Sequence, residues 1–253
     1  MSEQAVPSIW LRPERSGRGP APAFDRDRLA AAGVALADAH GLAAVTMRAV
    51  AQSLGSGPAS LYRYVSTREE LLELMIDQVN GEISYAALGS GRWLDDMLAL
   101  ARQSRRRYLD HPWLLDALAQ RALLGPHAVT YLERSLAALA DLPATPRAKL
   151  EAIGVLGAVV AALARAEAAQ RLAGQTVPQW QRAQAEYLAQ AAGSGRHPHL
   201  AAALAGEGAG AGADADHGVG EGAGPGGEPA EQLFDRVVTR ILVGLLQPGV
   251  IAS

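Results

Sequence analysis

Apolar residues recur at three- and four-residue intervals along most of the 253-residue chain. That is the period of an amphipathic helix, not the alternation of a strand. Leu29, Gly33 and Leu36 share one face of a first helix over 25–41, which Asp25 or Asp27 can cap and Gly41 ends. Thr46 to Leu54 predicts a short second helix, and Pro58 to Tyr64 a third. Ser66-Thr67-Arg68-Glu69 fits a capping box, Ser66 as N-cap and Glu69 at N3, opening a fourth helix to about Glu82. After the Gly89–Gly91 break the pattern predicts helices from Trp93 to Asp110, from Pro112 to about Gln120, and from Gly125-Pro126 to about Leu139. Thr145-Pro146 sets an N-cap before proline at N1, for a helix to about Leu172. A shorter one follows over Pro178 to Ala192. Residues 193–230 lose the period: twelve of the 38 are Gly, the composition of a flexible linker. Periodicity returns from Ala230 to Gln247, where Leu233, Val237, Ile241 and Leu245 sit four apart.

Composition sharpens this reading. Apolar residues make up 49% of the chain, chiefly Ala, Leu and Val, and Ala and Leu are strong helix formers, so the expected class is all-α. The absence of cysteine excludes a disulfide framework, a thiolate metal site and a thiol nucleophile, and fits a cytoplasmic protein. The overall charge of -3 hides an asymmetry: residues 1–68 hold eight Arg against five acids, residues 69–253 fifteen Lys/Arg against twenty-one. Residues 1–24, with Arg12, Arg15 and Arg18 set among the prolines at 7, 13, 20 and 22, read as a flexible basic arm. The first twenty residues lack the apolar core of a signal peptide. The uncharged run Ala152 to Ala164 is 13 residues, short of the roughly 20 that span a bilayer, so no membrane partner is expected.

The stretch SLGSGPASLYRYVSTREELL, residues 53–72, interrupts one periodic segment with two glycines and restarts it at Pro58. Val50, Leu54 and Leu61 are spaced to enter a small three-helix core, and Ala51 is small where helices would cross. Gly55 falls where a left-handed residue ends a helix. Two short helices around a tight turn make a helix-turn-helix. Its second helix is short because it fits the DNA major groove and offers only its leading face to base edges. Ser60 and Tyr62 can donate to phosphates, Arg63 can reach phosphate or guanine, and Arg48 projects from the second helix towards the same groove. Spacing alone fits an ordinary corner in a helical protein equally well. The positive end, the basic arm and the polar residues on so short a helix favour a DNA reader.

Residues 41–77, GLAAVTMRAVAQSLGSGPASLYRYVSTREELLELMID, closely resemble the DNA-binding domain of the TetR family, the tetracycline-repressor-like regulators. The likeness is strongest at Thr46, Arg48, Ala51, Gly55, Leu61, Tyr62 and Leu71-Leu72. HPWLLDAL, LGPHA and AIGVLGAVVAAL, at 111–118, 124–128 and 152–163, resemble the subfamily with a tetracycline-repressor-type C-terminal domain. The resemblance implies an arm at 1–24, a three-helix reader at 25–70 and a larger helical ligand-binding and dimerisation domain at 71–253. It implies that Thr46 contacts phosphate and Arg48 a base edge. Pro58, Ala59, Ser60, Tyr62, Arg63, Tyr64 and Arg68 would complete the DNA-facing set. Family members vary at the positions of Arg63 and Tyr64, so base preference does not transfer. Arg12, Arg15 and Arg18 could enter a neighbouring minor groove, or form a solvated tail.

The implied partners are palindromic double-stranded DNA, a partly apolar small-molecule effector and a second copy of the chain. The dimer helices would be those near 146–172 and 230–247. The first carries Ile153, Leu156, Val160 and Leu163, with Gly154, Gly157, Ala158 and Ala161 allowing close approach; two helices per copy would form a four-helix bundle. Trp93, Tyr108, His111, Trp113, His127 and Tyr131 fall where the resemblance places the effector cavity. No cofactor is implied and no metal ligand set is assigned, since one histidine at 127 does not define a metal site. No catalytic residue is expected: there is no G-x-S-x-G elbow, H-E-x-x-H helix or phosphate-binding loop lysine. A helical interaction module without DNA binding, and a DNA binder with no small ligand, remain the alternatives.

Overall fold

The computed structural model describes residues 8–12, 24–120, 124–173, 176–210 and 230–247, and all regular structure among them is helical. Helix α1 (Arg26–His40) begins at Asp25, whose Oδ1 accepts from the Arg28 amide at 2.7 Å. It stops at Gly41, where φ is +78°. Thr46 caps α2 (Met47–Ser53) by accepting from the Ala49 amide at 3.1 Å. Gly55, at φ +67°, turns the chain into α3 (Pro58–Leu61). This helix is shorter than the expected Pro58–Tyr64 span, because the backbone turns to return Val65 to the core at 1% exposure.

Helix α4 (Arg68–Asn80) starts one residue later than the sequence pattern suggested. Thr67, not Ser66, accepts from the amide three residues on, that of Glu70, at 3.2 Å, and Glu70 accepts from the Ser66 amide at 2.6 Å. Ser66/Glu69 and Thr67/Glu70 both fit the box. Glu70 takes the role because it turns inward, where Arg12 meets it at 2.5 Å.

Five further helices follow: α5 (Trp93–Asp110), α6 (Trp113–Gln120), α7 (Pro126–Ala138), α8 (Pro146–Ala173) and α9 (Thr176–Gly193). Asp96 in α5 fixes the glycine-rich break before it, accepting from the amides of Gly89 and Ser90 at 3.0 and 3.2 Å. Burial pushes its carboxyl up, but these donors and the Ser90 side chain outweigh that and hold it below the usual aspartate value. Helix α4 is the hub. Leu71, Leu74, Met75, Ile76 and Val79 are all buried, and α4 packs against α1, α6 and α7. Gly33 on α1 leaves the space that the Met75 sulfur occupies.

Asp77 ties α4 to α7. Its Oδ1 accepts from the amides of His127 and Ala128 at 3.0 and 3.3 Å, capping the start of α7. Burial raises the Asp77 pKa against the opposing pull of those donors and of His127. Gly125 lies so close to this carboxyl that a Cβ would overlap it. Gly125→Ala should therefore displace Asp77 and cost about 1–3 kcal/mol, read as a lower Tm in thermal unfolding; an unchanged Tm would show that the carboxyl can step aside.

In α8 the helix is apolar on two sides, and the chain uses only one. Ala152, Ile153, Leu156, Val160 and Ala164 are buried within the chain, while Leu150, Gly154, Val155, Ala158 and Ala162 are exposed. Ile153, Leu156 and Val160, expected at a dimer seam, thus belong to the core of the single chain. Arg165 pins α8 to α6 through Asp116 at 3.0 Å and the Leu115 carbonyl at 2.6 Å. Among the described residues Pro146–Ala169 is long and apolar enough, by length and composition alone, to cross a membrane. The uncharged run Ala152 to Ala164 lies at its centre, flanked by Arg147, Lys149 and Glu151 on one side and Arg165 and Glu167 on the other.

Part of the expected 193–230 linker is ordered: α10 (Pro198–Gly210) packs against α9. Pro198 opens it and Ala201-Ala202-Ala203-Leu204-Ala205 supplies strong helix formers, which a glycine count over the whole stretch averages away. Residues 211–229 lie outside the described set. The last helix, α11 (Ala230–Leu246), buries Phe234, Val238, Leu242 and Leu246, one position on from the stripe Leu233, Val237, Ile241 and Leu245 that the sequence singled out.

The described chain divides into two compact units, Met1–Arg165 with Ile241–Ser253, and Ala166–Arg240. The expected division at 70–71 falls inside α4, which packs on both α1 and α7.

Candidate DNA-reading surface and effector domain

The helix-turn-helix satisfies its own polar groups and leaves an outward set. Val50, Ala51 and Leu61 are fully buried under α2 and α3. Arg48, Pro58, Ala59, Tyr62 and Arg63 are exposed, Tyr62 at 54%, and Tyr64 is half-buried. Thr46, also exposed, accepts its capping bond and keeps a hydroxyl proton to donate. Ser60 is placed differently from these. Its hydroxyl donates to the Gly57 carbonyl at 2.6 Å and is bonded to the Ser56 hydroxyl, so it shapes the turn. Arg68 is likewise engaged inside the domain: Nε donates to the Val45 carbonyl at 2.7 Å and a terminal nitrogen to that of Leu42 at 3.0 Å. It anchors the α1–α2 connection to the first turn of α4.

The amino-terminal arm is not wholly free. A 3-10 turn at Ile9–Leu11 inserts Ile9 into the core at 1% exposure. Arg26 donates to the Ile9 carbonyl at 3.1 Å. Arg12 donates to the Ser66 hydroxyl at 3.1 Å and pairs with Glu70. Arg12 is thus committed to the segment between α3 and α4, not extended towards a minor groove. Arg15 and Arg18 lie outside the described residues. Proline spacing hid this strap; the paired apolar residues Ile9 and Trp10 amid the basic arm were its one signal.

The six effector-side candidates separate into groups. Tyr108 on α5 and Tyr131 on α7 come together with Tyr85 and Arg107. Arg107 stacks over Tyr108 at 4.9 Å and donates to Asn80 at 2.6 Å; Arg134 lies 5.8 Å over Tyr85. Burial pushes the Tyr131 phenol up, against the pull of Ser104 and Arg107. Burial and the Tyr131 phenol raise Tyr85. Ring faces with phenol and guanidinium tips are suited to an aromatic molecule bearing oxygen acceptors.

His111 and Trp113 form a second group, edge to face at 6.2 Å, and both bond Asp38 on α1. His127, exposed on α7, lies over Gly81. Trp93 is half-buried at the start of α5. A hollow of about 520 Å³ runs beside Val129, Thr130, Glu133, Arg134 and Ala137 on α7, and none of the six lines it. Sequence reasoning missed Asp38, Asp77 and Glu82. The signal for Asp77 was a carboxylate inside the apolar run LLELMIDQV. No group of three or more metal-ligating side chains occurs among the described residues.

Comparison with known proteins agrees with this geometry. Residues 29–75 match the family described as bacterial regulatory proteins, tetR family, and residues 86–217 match Tetracyclin repressor-like, C-terminal domain. The HTH-type transcriptional repressor DrrR1 of Streptomyces coeruleorubidus is 38% identical over 199 residues, 77% of this chain and 74% of its own. An HTH-type transcriptional regulator of Saccharopolyspora erythraea is 37% identical over 139 residues, 55% of this chain and 58% of its own. Apo ActR from Streptomyces coelicolor superposes with a TM-score of 0.66 at 26% identity, covering 93% of this chain and all of that one, 100%. ActR in complex with actinorhodin gives 0.67 at 25% identity, covering 89% and 98%. With both halves of the chain matched in order, and a repressor similar over three quarters of each sequence, the protein belongs to the TetR family of helix-turn-helix transcription regulators.

Proposed function

We propose that this regulator is a repressor that acts in the cytoplasm as a homodimer on a palindromic operator, and that a small, partly apolar molecule releases it. The observation that carries the reading is the outward set Arg48 on α2 and Tyr62 and Arg63 just after α3, on a helix-turn-helix in which Ser60 and Arg68 are internally bonded. A rigid reader with an exposed basic and hydroxyl edge suits base and phosphate contacts. The exposed stripe of α8, with Leu150 at 46% and Val155 at 42% around Gly154 and Ala158, supports a second copy as partner. The stripe Leu233, Val237, Ile241 and Leu245 of α11 is the second candidate surface.

For the effector, ActR is solved with actinorhodin and with (S)-DNPA, which supports a small-molecule ligand here. Tyr108 and Tyr131 of the α5–α7 cluster are the candidate contacts in this chain. Helix α4 is the candidate transmitter, since Asp77 holds it to α7 while its buried face holds α1. A ligand acts only through unequal affinity for two conformations. The reading requires the ligand-bound conformation to space the two readers wrongly for the operator.

The test is selection of random duplex DNA by the purified protein, followed by binding to the enriched sequence across salt concentrations. An enriched palindrome with a steep salt slope supports the reading. Enrichment of no sequence would leave the helix-turn-helix without a reading role and sink the proposal.

A further inference from the structure

His111 closes α5 as its C-cap and sits between two carboxylates. Its Nδ1 lies 2.7 Å from Asp38 Oδ1 on α1, and its Nε2 lies 3.1 Å from Glu82 Oε2, just beyond α4. The same Asp38 oxygen accepts from Trp113 Nε1 on α6 at 2.7 Å. The His111 side chain is 12% exposed. Four parts of the fold thus meet at one ring: the first helix of the DNA reader, the exit of the connecting helix, and the junction of α5 with α6.

The two contacts impose a protonation state. A carboxylate only accepts, so both ring nitrogens must donate, and only the imidazolium has two N–H groups. A neutral ring keeps one bond and turns a lone pair towards the other carboxylate. The end of α5 also favours a cation at this position. Arg107, one turn earlier on α5, is engaged with Asn80 and the Tyr108 ring, so the charged groups bonded to the imidazole are Asp38 from α1 and Glu82 from beyond α4.

We propose that His111 is a positioning residue for operator binding: as an imidazolium bridging Asp38 and Glu82, it clasps the DNA reader to the effector domain and sets the orientation in which two readers meet two half-sites. The inference rests on the operator-binding reading above. Without the clasp α1 loses a fixed attachment, the reader samples orientations that do not match the half-site spacing, and affinity falls.

Burial pulls the His111 pKa down, but Asp38 and Glu82 outweigh it and hold it above the ordinary 6.5. A group whose pKa is raised by its partners contributes fully below the ordinary value and loses that contribution as pH rises through the raised one. Operator affinity should therefore be greatest in mildly acid solution and fall as the pH climbs beyond neutral.

The experiment measures the affinity of the full-length protein for the selected duplex between pH 6 and 9, at fixed ionic strength. It is repeated for His111→Gln and Glu82→Gln, with melting curves to establish that each is folded. Wild-type affinity should fall about 10-fold across the range. His111→Gln should be flat and near the wild-type level at pH 9, and Glu82→Gln should move the fall to lower pH. A flat or rising wild-type profile, or a slope that survives in His111→Gln, overturns the proposal while the regulator reading stands. Failure of the wild type to bind any selected duplex at pH 6 sinks both.

Discussion

Replacing Arg48 by Ala should lower operator affinity about 30-fold or more while leaving thermal unfolding unchanged. The size follows from two copies of one contact. A side chain bonded to a base edge contributes about 1–3 kcal/mol of discrimination, and a palindrome uses it at both half-sites. The unchanged Tm follows from exposure: Arg48 lies on the second residue of α2 with its side chain in solvent, so its removal empties no part of the core. Tyr62→Ala should behave similarly, since Tyr62 is 54% exposed while its neighbour Leu61 carries the packing. Arg68→Ala provides the contrast. Its guanidinium holds the Val45 and Leu42 carbonyls, so that variant should lose stability as well as affinity. Binding titrations alongside melting curves separate the two kinds of residue. Wild-type affinity in Arg48→Ala would remove α2 from the proposed reading surface.

A single carboxylate on the outer stripe of α8 should be more damaging still. Val155→Glu or Ala158→Glu places a charge on the apolar surface proposed for the second copy. In a two-fold interface each substituted residue faces the same surface of its partner, so the desolvation cost is incurred twice. The expected product is a folded monomer. Its operator affinity should drop about 100-fold or more, because the second half-site is no longer bound as part of one molecule. Sedimentation equilibrium reads the mass and a mobility-shift titration the affinity. A variant that remains dimeric would move the interface off this stripe. The exposed positions are the informative ones: Leu156→Glu or Val160→Glu would strike the chain's own core and test folding instead.

The helix-turn-helix was the most legible part of the chain, because its signals are local. Gly55 adopts the left-handed backbone that its position after α2 predicted, Pro58 opens α3, and α2, Met47–Ser53, lies within the expected Thr46–Leu54 stretch. The Trp93–Asp110 helix matches its predicted ends, because a glycine break precedes it and His111-Pro112 follows. Each depends on residues a few positions apart. The N-cap of α4 slipped by one where two overlapping boxes satisfied the local rule. Arg12, 58 residues before Glu70, is what engages the second. Ser60 and Arg68 show the same limit at the site: residue type marked Ser60, and the family resemblance Arg68, as groups able to face DNA, but their partners are the Gly57, Val45 and Leu42 carbonyls.

Helix positions, an all-α class and a short helix-turn-helix near the amino terminus follow from periodicity, caps and turn residues, which act within one or two turns of the chain. Which side of a helix meets the core does not follow where both sides are apolar. Helices α8 and α11 each carry two apolar stripes, and only tertiary packing chose Ile153, Leu156 and Val160, or Phe234, Val238, Leu242 and Leu246, as the buried ones. Nor could spacing bring Asp38 to His111, 73 residues away, or Asp77 to the start of α7, 50 residues away. Those contacts connect the reader to the rest of the molecule. They exist because α4 packs against α1, α6 and α7, which brings Asp38 to the α5–α6 junction and Asp77 to the start of α7.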